Sequence, residues 1–576
     1  MLSNNLAYKI LSQKYKTLFI KIDLLDWSEE KIGEIAGMAS SGSLSIQGNS
    51  STRRTCSLTM EVQNNLENIA NPNNLISINK KIRINIGISN NIKELNDLGD
   101  TIWFPLGIFV LTSANISRNN PNTTLNITAT DKMCLLDGSV SGIIEGFLEA
   151  HQKADEEGNL SKMTIEEIIY YVVAGLGGEQ RYKILIKDVP AYYKTPLIYE
   201  GDETLYFDSF GNPTTEENAF RIIKKGEYAG YTLEPFYYPG ELIKSPGESI
   251  TSILDSLVSA LGNYEYFYDI NGNFIFQEIP NYLNTSYTQL TKLTTGDYIA
   301  NYEKTPYVFS FREKDIITSY TNNPNWQNIK NEFIVWGSAE DSTPVMFHLA
   351  IDDKPNIKED LGEGKIYPWQ QYLIDYGKAN LHDPGRYYGE LVSKFPQIYD
   401  AEKQEWKGNS NDFKYYFDMI DTKSVFGQYS VSSIGKRPVV VNDSQVGCLF
   451  PPVIPDYVIL NAGDSTESNQ NKVDELNKQG QKFLILDEKN FKKHTQAPYS
   501  KDAFSVVREL LYKHTSFNES ITINSLPLYF LDANQRIEVY DTKSNIFGDY
   551  MISSINIPFS PEGTMNLTAV KAQQRI

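Results

Sequence analysis

The sequence predicts a mainly β chain with α+β insertions, built on two β-barrels of one design. Three observations carry this expectation: a paired motif at the two ends, short alternating strands around each copy, and a change of period in between. Residues 107–129 read GIFVLTSANISRNNPNTTLNITA and residues 548–569 read GDYMISSINIPFSPEGTMNLTA. Each copy opens on Gly and runs through an alternating strand, Phe109, Leu111 and Ser113 against Tyr550, Ile552 and Ser554. Each then turns on a polar segment and ends a second strand in Thr-Ala. The strand before each copy also matches, Lys81-Ile-Arg-Ile-Asn-Ile against Arg536-Ile-Glu-Val-Tyr. A chain that builds one barrel twice gives a three-copy assembly six similar barrels.

Taken in order, residues 15–130 read as β. Strands are expected at 17–25, 42–46, 55–62, 81–88, 102–113 and 124–130, with Asn, Gly and Pro between them. Six short strands at hairpin spacing suggest a barrel or sandwich. From 131 the period lengthens, and 131–150 is expected to contain a helical stretch. Thr164-Ile-Glu-Glu167 is a capping box opening a helix over 165–174, which Gly175, Gly177 and Gly178 stop. A strand follows over 182–189. The helix at 250–261 carries Ile250, Ile253, Leu254, Leu257 and Leu261 on one face. Directly after it, Asn271-Gly272 between alternating aromatics predicts a hairpin. Strands return over 300–340, and 365–395 reads as partly helical. The segment 411–450 reads as partly extended and 461–480 as a loop or short surface helix. An amphipathic helix at 501–514 feeds the terminal strands at 519–571.

Composition bounds the function. A chain of 576 residues divides into about three to five domains. With 41% apolar and 12% aromatic residues it is globular. Its 37 tyrosines suit half-buried strands and subunit interfaces, where an apolar ring and a polar tip are both used. Lys and Arg total 53 against 72 Asp and Glu, a formal charge of −19, which excludes general electrostatic adhesion to nucleic acid. An acidic lumen would still let a duplex slide through without sticking. Cys56, Cys134 and Cys448 form no CxxC pair, so neither a disulfide framework nor a zinc site is indicated, and assembly in a reducing cytosol is expected. No apolar run reaches the ~18 residues of a membrane span. Lysines at 9, 14, 16 and 21 exclude a signal peptide.

The motifs of chemistry are absent: there is no GxSxG, HExxH or GxxxxGK[ST]. Gly175-Leu-Gly-Gly178 follows a helix and reads as its stop. Asp269 with Glu278, and Asp418 with Asp421, are carboxylate pairs of the kind glycoside hydrolysis uses, but 72 acidic residues produce such pairs freely. Cys448 and His494 lack the setting of a cysteine peptidase, and Cys56 alternates inward with Leu58. Asp269-Ile-Asn-Gly-Asn lacks the terminal Glu of a calcium loop and reads as a turn. No catalytic, cofactor or metal residue is assigned. Three basic points remain: Arg53-Arg54, Lys80-Lys81 with Arg83, and Lys436-Arg437. Each reads as a solvated strand edge or as an ion-pair contact to an acidic neighbouring subunit.

A resemblance rests on several of these segments. Thr52-Arg-Arg-Thr-Cys-Ser-Leu-Thr59, Trp103-Phe-Pro-Leu-Gly-Ile-Phe-Val110, Asp131-Lys-Met133 and Gly247-Glu-Ser-Ile-Thr-Ser-Ile-Leu254 carry it in the first half. Tyr264 to Gly272, Val335-Trp-Gly337 and Asn534-Gln-Arg-Ile-Glu-Val539 extend it to the end. Together they resemble the phage tail and baseplate hub proteins, the tail-tip hubs of Gram-positive phages, similar in plan to the central hubs of T-even and Mu-like phages. The resemblance implies a homotrimer whose two tail-tube-like barrels per chain form a six-barrel ring joining the hexameric tail tube to a threefold tip. It implies a first barrel in 1–135, an α+β domain in 136–299, a second barrel in 300–345 with 496–576, and an inserted α+β domain in 346–495. Implied partners are the tail tube or distal tail ring protein, a tail spike or tip protein and the tape-measure protein, with DNA passing through unbound. The implied location is the virion tail baseplate, with assembly in the bacterial cytoplasm. Many relatives continue into a lysin; this chain stops at Ile576 after the second barrel, so wall cutting is expected on another protein. The rival expectation is a tail-associated cell-wall or glycan hydrolase.

Overall fold

A computed structural model describes residues 4–61, 81–119, 122–154, 158–190, 192–208, 212–238, 241–279, 308–312, 317–324, 327–337, 434–443, 457–464, 466–478, 480–493, 519–541, 546–560 and 562–571. Shorter pieces at 287–292, 298–302, 345–350, 399–400, 405–406, 414–416, 446–448 and 501–502 are strands, and 506–507, 509–510 and 513–514 are helical turns.

The fold is mainly β. Six strands form the first barrel: β1 (Leu18–Leu25), β2 (Lys31–Gln47), β3 (Arg54–Glu61), β4 (Lys81–Ser89), β5 (Thr101–Asn119) and β6 (Asn122–Asp131). Their order is β1-β4-β5-β6-β3-β2, every neighbour is antiparallel, and β2 pairs back with β1. That last pairing closes the sheet and removes its edges, which is how small β structures avoid an unpaired rim. The alternation that predicted the strands supplies the core: Ile82, Ile84, Ile86 and Ile88 of β4 are all buried.

Six later strands repeat this plan: β7 (Phe309–Arg312), β8 (Ile317–Pro324), β9 (Glu519–Ser525), β10 (Arg536–Asp541), β11 (Ile546–Pro558) and β12 (Met565–Lys571). Their order is β7-β10-β11-β12-β9-β8, the first barrel's order with each strand advanced by six. Two details differ: β7 runs parallel to β10 whereas β1 is antiparallel to β4, and among the described residues β8 does not pair back with β7 as β2 does with β1. From the shared glycines onward the registers coincide residue by residue; before them the first barrel has an extra bulge, between Ile84 and Asn85. Ile84 faces Gly107 and Val539 faces Gly548; Leu111 faces Ala129 and Ile552 faces Ala569. Both hairpins slip by one residue at the same point, between Leu111 and Ser113 and between Ile552 and Ser554. At each slip a hydroxyl holds the bulge: Thr112 Oγ1 donates to Thr128 O (2.8 Å) and Ser553 Oγ to Thr568 O (3.0 Å). Gly107 and Gly548 share φ of 144° and 148°, a conformation open only to glycine. The repeated motif is therefore one structural unit built twice.

The barrels touch along one edge, where Ser43–Gln47 of β2 pairs antiparallel with Ser554–Pro558 of β11. Gly42 O accepts from Phe559 N (2.9 Å) and Gly48 N donates to Ser553 O (2.7 Å), extending the ladder at both ends. One apolar core runs through both barrels. Helix α1 (Asn4–Leu11), which sequence reasoning missed, lies across them: Ile10 and Leu11 are buried, Tyr8 packs 5.3 Å from Phe309, and Asn4 Nδ2 donates to Val308 O.

The remaining elements flank the barrels. The expected capping box is present at α2 (Ile165–Tyr170), with Thr164 Oγ1 accepting from Glu167 N and the Glu167 carboxylate accepting from Thr164 N. The helix runs on as a π turn over Tyr171–Leu176 before Gly177. Helix α3 (Ile250–Leu261) and the hairpin of Tyr264–Tyr268 with Phe274–Glu278 stand where expected. The strand expected over 182–189 is shorter, Ile184–Ile186, and lies parallel to Phe274–Phe276.

The helical stretch expected in 131–150 is only the 3₁₀ turn Lys132–Leu135. Past it the backbone bonds are spent on a loop: Val140 N donates to Cys134 O and Ile250 N to Gly142 O, which ties the loop to the start of α3. A five-stranded sheet takes Tyr192–Tyr199 and Tyr228–Pro235 together with Tyr457–Asn461, Lys482–Leu486 and Phe491–Lys493, so it is shared between the 136–299 and 346–495 segments. Helix α4 (Thr466–Lys478) is the crossover between its parallel strands Tyr457–Asn461 and Lys482–Leu486. Glu332–Gly337 belongs to a separate four-stranded sheet. Lys501–Asp502, the expected start of the last helix, pairs with Val446–Cys448 instead. The partly helical reading of 365–395 lies outside the described residues.

Candidate functional site

Among the described residues, a dense group of buried charges lies where the two barrels meet the Asn271-Gly272 hairpin. Its centre is Arg53 and Arg54 at the start of β3. Arg54 shares the inward face of β3 with Cys56, Leu58 and Met60, so the period of two already points it inside. Both arginines are almost fully buried, 2% and 1% exposed, which overturns the solvated-edge reading for this pair; their ion pairs are within the chain. Arg53 pairs with Glu265 of the hairpin and lies 3.5 Å over the Phe267 ring. Glu265 in turn accepts from Asn534 Nδ2 of the second barrel (2.6 Å), and Asn534 also donates to Gly48 O. Arg54 donates to Tyr268 O of the hairpin (2.7 Å) and pairs with Asp532 of the second barrel, while its own N–H donates to Asp131 at the end of β6 (2.8 Å). Two adjacent guanidinium forks therefore hold three structural units at once. Arg suits this role because its planar fork bonds in several fixed directions.

A second charged group continues the first. Glu29 accepts from Lys81 (3.1 Å), Lys132 (2.5 Å) and Lys183 (2.9 Å). Lys132, with none of its side chain exposed, also reaches Glu179 (2.6 Å) and the hairpin carbonyl of Gly272 (2.8 Å). Burial alone would raise the Glu29 carboxyl, but the Lys132 ammonium, with Lys183 and Lys81, outweighs it and holds it at about 2. Asp131 goes the other way: burial pushes it up to about 6 against the pull of the Arg54 and Met133 N–H groups. Lys81 is thus buried and internally paired, while Arg83 is half-buried, so this basic point is not the solvated edge expected; Lys80 lies outside the described residues. Lys436 is the exposed one of the three, 3.6 Å from Glu332.

The residues considered for chemistry are scattered. Asp269 is consumed by its turn, accepting from Asn271 N (2.9 Å) and Asn273 N (2.8 Å). Glu278 sits at the far end of the hairpin, opposite Tyr264. Five strand positions at ~3.4 Å put the two carboxylates roughly 17 Å apart, beyond either glycosidase spacing. Cys56 and Cys134 are buried thiols, each pushed up to about 12 chiefly by burial, and so are poor nucleophiles. Cys448 lies in a short strand, while Asp418, Asp421 and His494 are outside the described residues. His151 is a satisfied core histidine, its Nδ1 accepting from Leu242 N (3.1 Å). Among the described residues no three His, Cys, Asp or Glu side chains are placed to hold a metal ion. No described helix is long and apolar enough to cross a membrane.

No family model matches the chain, and no curated protein does. Solved structures do. The chain is similar to phage tail proteins. One is the 43 kDa tail protein of prophage MuSo2 from Shewanella oneidensis, 9% identical, with 96% of this chain and 98% of that chain covered and a TM-score of 0.41. Another is the tail protein from Neisseria meningitidis MC58, 8% identical, with 96% of each chain covered and a TM-score of 0.41. A third is prophage tail protein gp18 from Listeria monocytogenes EGD-e, 8% identical, covering 96% of this chain and 94% of that chain at a TM-score of 0.35.

Proposed function

We propose that this chain is the structural hub of a phage or phage-like tail baseplate. Three copies would place six barrels in a pseudo-sixfold ring that joins a hexameric tail tube to a threefold tip. The observation that carries the reading is the in-register duplication: two barrels with one strand order, one bulge and one glycine conformation, fused edge to edge in a single chain. A fused pair of equivalent modules is what a threefold assembly needs in order to meet a sixfold one. The buried arginine pair supports the same role, because it ties the two barrels together.

In this reading the flanking α+β units face the spike, tip and tape-measure proteins, the tube or distal ring protein sits on the barrels, and DNA passes through without specific binding. The charge of −19 keeps the channel wall non-adhesive. The role is non-enzymatic. Light scattering on the purified protein is expected to give three copies, and an image of the assembly is expected to show both barrels at one level around a channel rich in Asp and Glu. A stable monomer or dimer, or a pore lined by Lys and Arg, would count against the hub. Zymography on peptidoglycan is expected to be blank; clearing by the wild-type chain would favour the hydrolase.

A further inference from the structure

The internal junction uses one edge of each barrel, and the repeat presents both halves of that junction a second time. With Gly107 on Gly548 and Ala129 on Ala569, Ser113–Ser117 of β5 stands where Ser554–Pro558 of β11 stands. The β11 stretch lies between β12 and β2, whereas the β5 stretch is paired with β6 and, among the described residues, with nothing on its other side. Burial records the difference. Ile555 and Ile557 are 1% and 0% exposed, while their counterparts Ala114 and Ile116 are only half-buried.

The other half lies on β8. In the first barrel Leu58 faces Ile127 and Gly42; in the second Ile523 faces Leu567 and Tyr320. Likewise Cys56 faces Ala129 and Leu44, and Ile521 faces Ala569 and Asn322. Tyr320–Asn323 therefore stands where Gly42–Ser45 stands, and among the described residues it is paired with β9 alone.

We infer that copies of this chain join head to tail by antiparallel pairing of β8 in one copy with β5 in the next, in the register of the internal junction. Asn322 then faces Ile116 of the next copy, and Asn323 faces Asn115. The inference rests on the ring proposed above and names the strands that close it. Such a contact joins unlike surfaces, so it propagates until the rotation closes. It also covers two strand edges that would otherwise invite false pairing. Pro324 sets its length. The bonds of Gly42 and Gly48 show that even-numbered residues of β2 face β11, and Pro324 occupies the position of Ile46. With no N–H to offer there, the ladder ends at Asn323 and a longer, slipped pairing is blocked.

The test uses the full chain with Asn115→Cys and Asn323→Cys together. Opposed residues of a non-hydrogen-bonded antiparallel pair have Cβ atoms ~4.5–5.5 Å apart, within disulfide reach after small adjustment. On mild oxidation the double variant is expected to give cross-linked species ending at the closed ring on a non-reducing gel. The wild type and each single variant are expected to give none. Ile116→Pro removes the N–H that faces the free edge and leaves the β6 side intact; it is expected to reduce the oligomer to monomers of unchanged circular dichroism. An oligomer by light scattering that neither cross-links nor responds to Ile116→Pro would overturn this pairing and leave the ring standing. A wild type that is monomeric at every concentration would remove both.

Discussion

Arg54 ties the first barrel to both the second barrel and the hairpin. Its guanidinium is buried between an acid of the second barrel and a carbonyl of the hairpin, so truncation strands Asp532 and Tyr268 O. Arg54→Ala is expected to cost about 3–5 kcal/mol, the usual penalty for removing one partner of a buried pair, read as a fall in denaturant midpoint. Arg54→Lys is expected to recover little, because one ammonium cannot span both acceptors.

Acid response at the same place has two opposed components. Glu29 is held at about 2, below its ordinary value of 4.5, so its contribution is full above pH 4.5 and disappears as the pH falls toward 2. Asp131 is raised from 3.8 to about 6, so its ionised form costs stability above pH 6, a cost relieved as the pH falls toward 3.8. The melting-temperature gap between wild type and Glu29→Gln should therefore close below pH 4.5. Asp131→Asn should lose the wild type's gain between pH 6 and 4. Parallel melting curves at all pH values would contradict both assignments.

The two glycines of the repeat allow a comparison between elements. Gly107 and Gly548 share one backbone conformation but not one neighbourhood: a Cβ at Gly107 would lie 3.2 Å from the Phe109 ring and 3.4 Å from Arg54 Cδ, whereas at Gly548 the nearest atom is 3.9 Å away. Alanine at Gly548 is expected to cost about 1–3 kcal/mol from backbone strain alone. Alanine at Gly107 should cost more, because it also presses on the buried arginine. Equal losses would mean that the neighbourhoods are equivalent.

These elements also mark how far the sequence could be read. The alternation of Ile82, Ile84 and Ile86, the Asn-Gly turn and the Thr164 capping box are local signals, and the structure follows them. The destinations of Arg53 and Glu265 depend on partners 212 residues apart, which no window of sequence contains. One signal was nonetheless legible: Arg54 keeps phase with Cys56 and Leu58, so an inward charge could have been inferred from β3 alone. The helical stretch expected within 131–150 is cut to one turn because Leu136 O and Gly142 O accept from the start of α3, more than 100 residues downstream.

For the whole molecule, the junctions differ in their sensitivity to salt. The stretches proposed to pair, 113–117 of β5 and 320–323 of β8, carry no charged residue. The ring is therefore expected to keep its mass between about 0.05 and 1 M NaCl, although screening over ~3 Å at the higher value removes most exposed ion-pair energy. A mass that falls with salt would show that charged surfaces hold the copies together.

The second barrel is interrupted, leaving its plan after β8 and resuming at β9 about 190 residues later. A ribosome adding roughly 5–20 residues per second takes on the order of 10–40 s to cross that gap. The first barrel has all its strands early and can fold meanwhile, but β7 and β8 must wait with their hydrogen-bonding rims bare. In a cell making many copies at once, that interval is when strands of neighbouring nascent chains compete with the proper partners. The yield of correctly folded protein should therefore fall with expression rate and recover at low temperature or with holding chaperones.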